Sequence, residues 1–232
     1  MHKIFLYQHS YDSSQELTEL LSDQLTPHNV ERLNTMKALG AQNSYASSRA
    51  LLNLALTETL DMDIDSIAIE PNSDGKPEIV QPTDSRWKFN ISHTKGLSVV
   101  AISQDYEVGV DVESSLRKQR HLDLSKRFFH PDEYQSLCAI NNKEEQMKRF
   151  FSLWTAKEAY LKALGKGLSK PLGSFRVTID DAQGITIKDF AGDLDKHVFC
   201  SALTLYEHYC CTVIALSEQE TPMEIIQKEL LL

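Results

Sequence analysis

Cysteine is scarce in this chain and never spaced as a framework. Cys138, Cys200, Cys210 and Cys211 form no C-x-x-C pair and no zinc pattern, which excludes a disulfide scaffold and a structural zinc site. They read as reduced residues of a cytoplasmic protein, with adjacent Cys210 and Cys211 on opposite faces of a strand. Positive charge is short as well: a net charge of −9 argues against nucleic acid as a partner. No apolar run approaches a membrane span, and Met1 to Ser10 is too short and polar for a signal peptide, so no membrane association is expected. Gly165-Lys166-Gly167-Leu168-Ser169 lacks the upstream glycine of a phosphate-binding Walker loop and reads as a helix C-cap. What remains is 232 residues, 41% hydrophobic and 25% charged, enough for one large soluble domain or two small ones.

The most informative stretch is Phe150 to Gly167, FFSLWTAKEAYLKALGKG. At helical spacing Phe150, Phe151, Leu153, Trp154, Tyr160, Leu161 and Leu164 fill one wide arc. Ser152, Ala156, Ala159 and Ala163 lie opposite and are small enough for another element to pack closely. Lys157 and Glu158 fall inside the apolar arc, and Lys162 lies at its margin. Charges in a largely buried helix need partners or cost several kcal/mol each. The bland alternative is an ordinary core helix with snorkelling lysines.

Val108-Gly109-Val110-Asp111-Val112-Glu113 alternates as a strand does. The valines point to the core. Gly109, Asp111 and Glu113 share the other face, with Gly109 leaving room for a ligand to approach the backbone. The two carboxylates stand roughly 7 Å apart at Cα, close enough to reach one hard cation. Alone, the pattern serves as well for the solvated face of an edge strand. Together with Glu158 it supplies three oxygen ligands of the kind that hold Mg²⁺, and Lys157 and Lys162 offer cations for phosphate. The combined chemistry is phosphoryl or pyrophosphate binding.

These residues resemble the Sfp-type 4′-phosphopantetheinyl transferases. The two signatures of that family read here as Gly109-Val110-Asp111-Val112-Glu113 and Trp154-Thr155-Ala156-Lys157-Glu158-Ala159-Tyr160-Leu161-Lys162. Gly75-Lys76-Pro77 and Phe89-Asn90-Ile91-Ser92-His93-Thr94 match two upstream elements. The resemblance runs from about residue 31 to about 180. It implies transfer of the phosphopantetheine arm of coenzyme A to a serine of an apo acyl or peptidyl carrier protein, releasing adenosine 3′,5′-bisphosphate.

The resemblance also implies roles. Asp111, Glu113 and Glu158 match Mg²⁺ ligands, with Mn²⁺ as a substitute. Lys162 matches a lysine on the pyrophosphate of coenzyme A, and Lys157 takes a supporting or phosphate-side role. Lys76, Ser92 and His93 match coenzyme A contacts, with His93 near the 3′-phosphate. Arg49 matches an arginine that binds its phosphates. Arg32 and Lys37 fall near basic positions of the family, and serve equally well as surface charges. Relatives are often arginine-rich where this chain has Ala41-Gln42-Asn43-Ser44. Glu133 matches a proposed general base for the acceptor serine. A water on the metal is the alternative base, and Glu133 also suits the N-terminus of a helix opened by Pro131.

Carrier proteins are usually acidic, so this acidic chain needs a local patch to bind one. Arg117-Lys118-Gln119-Arg120-His121 supplies a basic run, which reads equally as a solvated loop. Along the chain we expect a strand at 3–8, helices at 14–24 and 41–60, and strands near 66–70, 87–91 and 97–103. Then come a strand at 107–113, helices near 122–129, 131–140 and 144–165, and strands near 175–180, 185–190, 197–205 and 208–216. A capping-box spacing at Thr221–Glu224 predicts a short helix through Leu232. The class is α+β, with an N-terminal half at 1–105 and a C-terminal half at 106–232. The resemblance implies two similar subdomains related by a pseudo-twofold, with coenzyme A and Mg²⁺ in the cleft between them, and a monomer. Two other readings remain open: a Mg²⁺-dependent pyrophosphate hydrolase, and a binding module without turnover.

Overall fold

The computed structural model describes residues 2–117, 120–180, 184–190 and 196–232. It divides into two compact units. One comprises Met1–Tyr106 with Pro222–Leu232, and the other Glu107–Thr221. Residues 222–232 thus belong with the first half of the chain, not with the second as the sequence predicts.

In the first unit, β1 (His2–Ser10), β4 (Trp87–Thr94), β5 (Leu97–Gln104) and β11 (Met223–Glu229) form a sheet in the order β11-β1-β5-β4. The β1–β11 pair is parallel and the others are antiparallel. The 22-residue helix α2 (Leu39–Leu60) packs on this sheet. Its Leu51, Leu52, Ala55 and Leu56 meet Tyr7, Phe89, Val100 and Ile102 in one buried cluster. A hairpin of β2 (Ala68–Pro71) and β3 (Pro77–Gln81) and a short helix α1 (Pro27–Asn34) complete the unit.

Four features of this unit depart from expectation, the first being the strand Pro77–Gln81, which lies between the expected strands at 66–70 and 87–91. The helix at 14–24 is absent apart from one 3-10 turn at Ser22–Gln24. Side chains satisfy the backbone there instead: Asp12 Oδ1 accepts from Ser14 N, and Asn43 accepts from Leu17 N and donates to Gln15 O. Helix α1 was signalled by Thr26-Pro27-x-Asn29. The Thr26 side chain caps Asn29 N, the Asn29 side chain returns to Thr26 N, and proline opens the helix. Residues 223–229 form a strand, not a helix. Ile225 and Ile226 suit a strand and pair with Ile4 and Phe5, and the backbone of β1 supplies the ladder a helix would have formed within itself.

In the second unit, β6 (Glu107–Ser114), β9 (His197–Leu205) and β10 (Tyr209–Ser217) form an antiparallel sheet in the order β6-β10-β9. Helix α5 (Lys143–Leu164) packs on this sheet, helices α3 (His121–Phe128) and α4 (Pro131–Cys138) pack against α5, and the hairpin of β7 (Phe175–Asp180) with β8 (Gly184–Asp189) lies beside α5 and β9. Asn142 caps the start of α5 by accepting from Glu144 N and Glu145 N. Gly165 ends it in the left-handed region at φ 72°, as its C-cap reading requires. Both units are α+β, each with one 22-residue helix on one sheet. Among the described residues no helix is long and apolar enough to cross a membrane.

Candidate functional site

The site is set by how closely α5 crosses β6. Gly109 pairs with Ile214 of β10, which belongs to the cluster built around α5, so the Gly109, Asp111 and Glu113 face of β6 is the face that α5 covers. Thr155 Oγ1 of α5 meets Thr212 Oγ1, the register partner of Asp111, at 2.9 Å. A Cβ at position 109 would stand 2.0 Å from the Ala159 carbonyl oxygen and 2.5 Å from Ala163 N. The room at Gly109 is therefore filled by the backbone of α5 and is not a ligand approach. The small residues Ala156, Ala159 and Ala163, all at most 1% exposed, make the crossing possible, as their spacing predicts.

This crossing lays the polar residues of α5 over Asp111. Lys162 Nζ donates to Asp111 Oδ1 at 2.7 Å and to Val110 O at 3.1 Å. Glu158 is half-buried, and its carboxyl is held above its ordinary range by burial first, then by the charge of Asp111, with Lys162 opposing and Glu113 adding. The three carboxylates thus share one surplus of negative charge. An all-oxygen donor set with that surplus fits a hard divalent cation. As the side chains stand, no group of three or more His, Cys, Asp and Glu among the described residues encloses one. Lys162 sits against Asp111, and Arg117 lies 3.5 Å from Glu113 Oε2.

Lys157 and Glu133 stand elsewhere. Lys157 is fully buried, 2.8 Å from Glu133 Oε1, and its Nζ donates to Leu172 O and Phe175 O. It also lies 4.3 Å from the Phe175 ring centroid. Burial pulls the lysine below its usual value, and Glu133 opposes that pull. Glu133 is 2% exposed; its Oε1 accepts from Val177 N at 2.6 Å and its Oε2 from His130 N at 2.8 Å. Both carboxylate oxygens are engaged by fixed N–H donors.

In the first unit, Arg49 lines a cavity of about 460 Å³ with His28, Tyr45, Asn53, Glu70 and Pro77 among its walls. The Arg49 guanidinium lies 5.2 Å from the Tyr45 ring centroid, and its buried Nε has no hydrogen-bond partner among the described residues. Lys76, 9% exposed, is held in the turn before β3, where its backbone exchanges hydrogen bonds with Asn72. Ser92 is buried and His93 exposed, on opposite faces of edge strand β4. Arg32 and Lys37 are exposed and line no part of the Arg49 cavity.

Residues 107–214 match the model of the 4′-phosphopantetheinyl transferase superfamily, and residues 10–105 match that of the N-terminal 4′-phosphopantetheinyl transferase family. The 4′-phosphopantetheinyl transferase HetI of Nostoc sp. is 31% identical over 170 residues, covering 72% of this chain and 71% of HetI. The chain belongs to the 4′-phosphopantetheinyl transferase superfamily. The 4′-phosphopantetheinyl transferase Sfp of Bacillus subtilis is likewise 31% identical, over 175 residues and 75% of each chain. The slr0495 protein of Synechocystis sp. is 39% identical over 126 residues, covering 54% of this chain and half the length of that protein.

Set against the roles that family suggests, the geometry brings together Asp111, Glu158 and Lys162, with Glu113 near them, and separates two residues from them. Glu133 is no free base, because both its oxygens are buried and bonded. Lys157 has no phosphate side, because its ammonium is enclosed by Glu133, two carbonyls and a ring. The basic run also changes character. Arg117 faces Glu113, Arg120 Nε lies 2.7 Å from Asp123, and His121 Nε2 meets Gln146 Oε1. Lys118 lies outside the described residues. Sequence reasoning missed Lys170 and Asp189, a second buried ion pair of this unit at 3.0 Å. Its only signal was a charged residue at the end of an otherwise regular strand.

Proposed function

We propose that this protein transfers the 4′-phosphopantetheine arm of coenzyme A to a serine of an apo acyl or peptidyl carrier protein. The serine oxygen forms a bond to the phosphorus that carries the pantetheine arm and gives up its proton. The bond between the two phosphates breaks, and adenosine 3′,5′-bisphosphate leaves. The observation that carries the reading is the contact of Lys162 with Asp111, whose charges both act on Glu158, beside the Gly109–Ala159 crossing.

Asp111, Glu113 and Glu158 would hold Mg²⁺, or Mn²⁺ in its place. When bound, such an ion stabilises the negative charge that grows on the leaving phosphate. Lys162, in the last turn of α5 with its ammonium on Asp111, would bind the pyrophosphate of coenzyme A and orient the bond to be broken. Glu133 and Lys157 position rather than react: they lock α5 to α4 and to the segment 172–177. Arg49 and Lys76 supply cations for the nucleotide phosphates, and the Arg49 Nε, without a partner among the described residues, is a donor in want of an acceptor.

Intact-mass spectrometry of an apo carrier protein incubated with this protein, coenzyme A and Mg²⁺ tests the proposal. The expected result is a gain of one phosphopantetheine group that EDTA abolishes. No gain on either a fatty-acid carrier or a peptide-synthetase carrier would overturn it.

A further inference from the structure

Asp189 ends β8, and its register partner across the hairpin is Phe175 of β7. This one rung grips α5 twice. Asp189 Oδ2 accepts from Tyr160 OH at 2.8 Å and lies 3.0 Å from Lys170 Nζ, with the Asp189 and Lys170 side chains 8% and 6% exposed. The Phe175 ring lies 4.8 Å from the Tyr160 ring and 4.3 Å from Lys157 Nζ, and the Phe175 carbonyl accepts from the same ammonium at 2.9 Å. Lys157 and Tyr160 are neighbours on one side of the helix. At 100° per residue their mean direction lies about 150° around the axis from that of Glu158 and Lys162. The hairpin therefore holds α5 on the side away from Glu158 and Lys162, while β6 meets the helix along Ala159 and Ala163. Lys170 adds a second hold, because it lies on the chain leaving α5, eight residues beyond Lys162.

Burying an aspartate with a lysine is a poor way to gain stability, since desolvation offsets most of the attraction. What such a pair does fix is geometry. The crossing at Gly109 sets how near α5 comes to β6, but a close approach at one point does not by itself fix rotation of the helix about its own axis. That rotation swings Glu158 and Lys162 across Asp111.

We infer that Tyr160, Asp189 and Lys170 are positioning residues for phosphopantetheine transfer, fixing the rotation of α5 from the side opposite its reactive face. The inference rests on the transfer reading above. Its test compares wild type with Tyr160→Phe, which removes one hydroxyl and keeps the ring against Phe175, and with Asp189→Asn. Three quantities are measured: thermal unfolding, Mn²⁺ affinity by calorimetry without carrier or coenzyme A, and kcat against KM for the carrier. The expected result for Tyr160→Phe is an unfolding midpoint well above assay temperature, Mn²⁺ affinity several-fold weaker, kcat lower by roughly tenfold and carrier KM unchanged. Wild-type Mn²⁺ affinity and wild-type kcat in both folded variants would overturn the inference. So would a Tyr160→Phe protein that is unfolded at assay temperature, which would make the network a fold strut. If wild type binds Mn²⁺ but modifies no carrier, the transfer reading fails, and the network is judged by Mn²⁺ affinity alone.

Discussion

Gly109 and Ala159 touch backbone to backbone, so that a single added methyl on the glycine would overlap the Ala159 carbonyl oxygen at 2.0 Å. The clash is with helix backbone and not with a flexible side chain, so relief demands that α5 move away from β6. Gly109→Ala should cost about 3 kcal/mol or more, at the upper end of overpacking effects. Urea denaturation of the variant checks this, and a midpoint equal to wild type would refute the crossing.

Glu133→Gln separates a strut from a base. Three N–H donors converge on the carboxylate, and an amide nitrogen presents hydrogens to one of them while leaving Lys157 uncompensated. Breaking a buried pair in this way should cost about 3–5 kcal/mol. Activity per folded molecule should hold within about tenfold, and the pH–rate profile should keep its shape. Unchanged stability with kcat down by roughly 10²–10⁴ would instead identify Glu133 as the proton acceptor.

Asp111→Ala and Glu158→Ala should each lower the transfer rate by roughly a hundredfold or more, the scale of losing one electrostatic contact to a transition state. Circular dichroism should find both folded. Glu113→Gln should cost less, since an amide oxygen or water can fill one coordination position. Lys162→Ala should lower kcat and weaken coenzyme A together. Chelation with EDTA should stop transfer, and added Mg²⁺ should restore it; a rate indifferent to EDTA would remove the metal from the scheme.

His9 makes stability depend on pH. The ring is 6% exposed and its Nδ1–H donates to the Leu230 carbonyl at 3.0 Å. Burial holds its pKa below 6.5, against smaller raising pulls from that carbonyl and from Glu229. The unfolded chain therefore binds a proton at this position more readily than the folded one does. Stability is retained above pH 6.5 and falls as pH drops through the lowered folded value. Urea midpoints at pH 7.5 and pH 5.0 should differ more for wild type than for His9→Gln, and equal differences would acquit the histidine.

The elements that carry the site were legible because their pattern is local. Alternation in 107–113 and helical spacing in 150–164 each place their residues without knowledge of the rest of the chain. Ala156, Ala159 and Ala163 announced a close packing partner, and Gly109 proved to be it. What stayed hidden depends on partners distant in sequence. Lys157 meets Glu133 from 24 positions away, and only their contact tells that two charged residues of the motifs neutralise each other. Residues 14–24 are spaced for a helix, yet Asn43 claims their backbone. Thr221 to Glu224 carry a capping pattern, yet β1 offers Ile225 and Ile226 a strand to join.

The parallel pairing of β11 with β1 has a consequence for the order of folding. On the ribosome, domains generally fold as they emerge, N-terminal first. Here the earlier unit is the last to be completed. Its sheet lacks an outer strand until the chain beyond Thr221 has been made, and by then every residue of the Glu107–Thr221 unit has already been synthesised. The half encoded second therefore has all of its residues before the first has its last strand. During that interval β1 presents an open edge, and strand-forming segments of a nascent neighbour are its natural competitors.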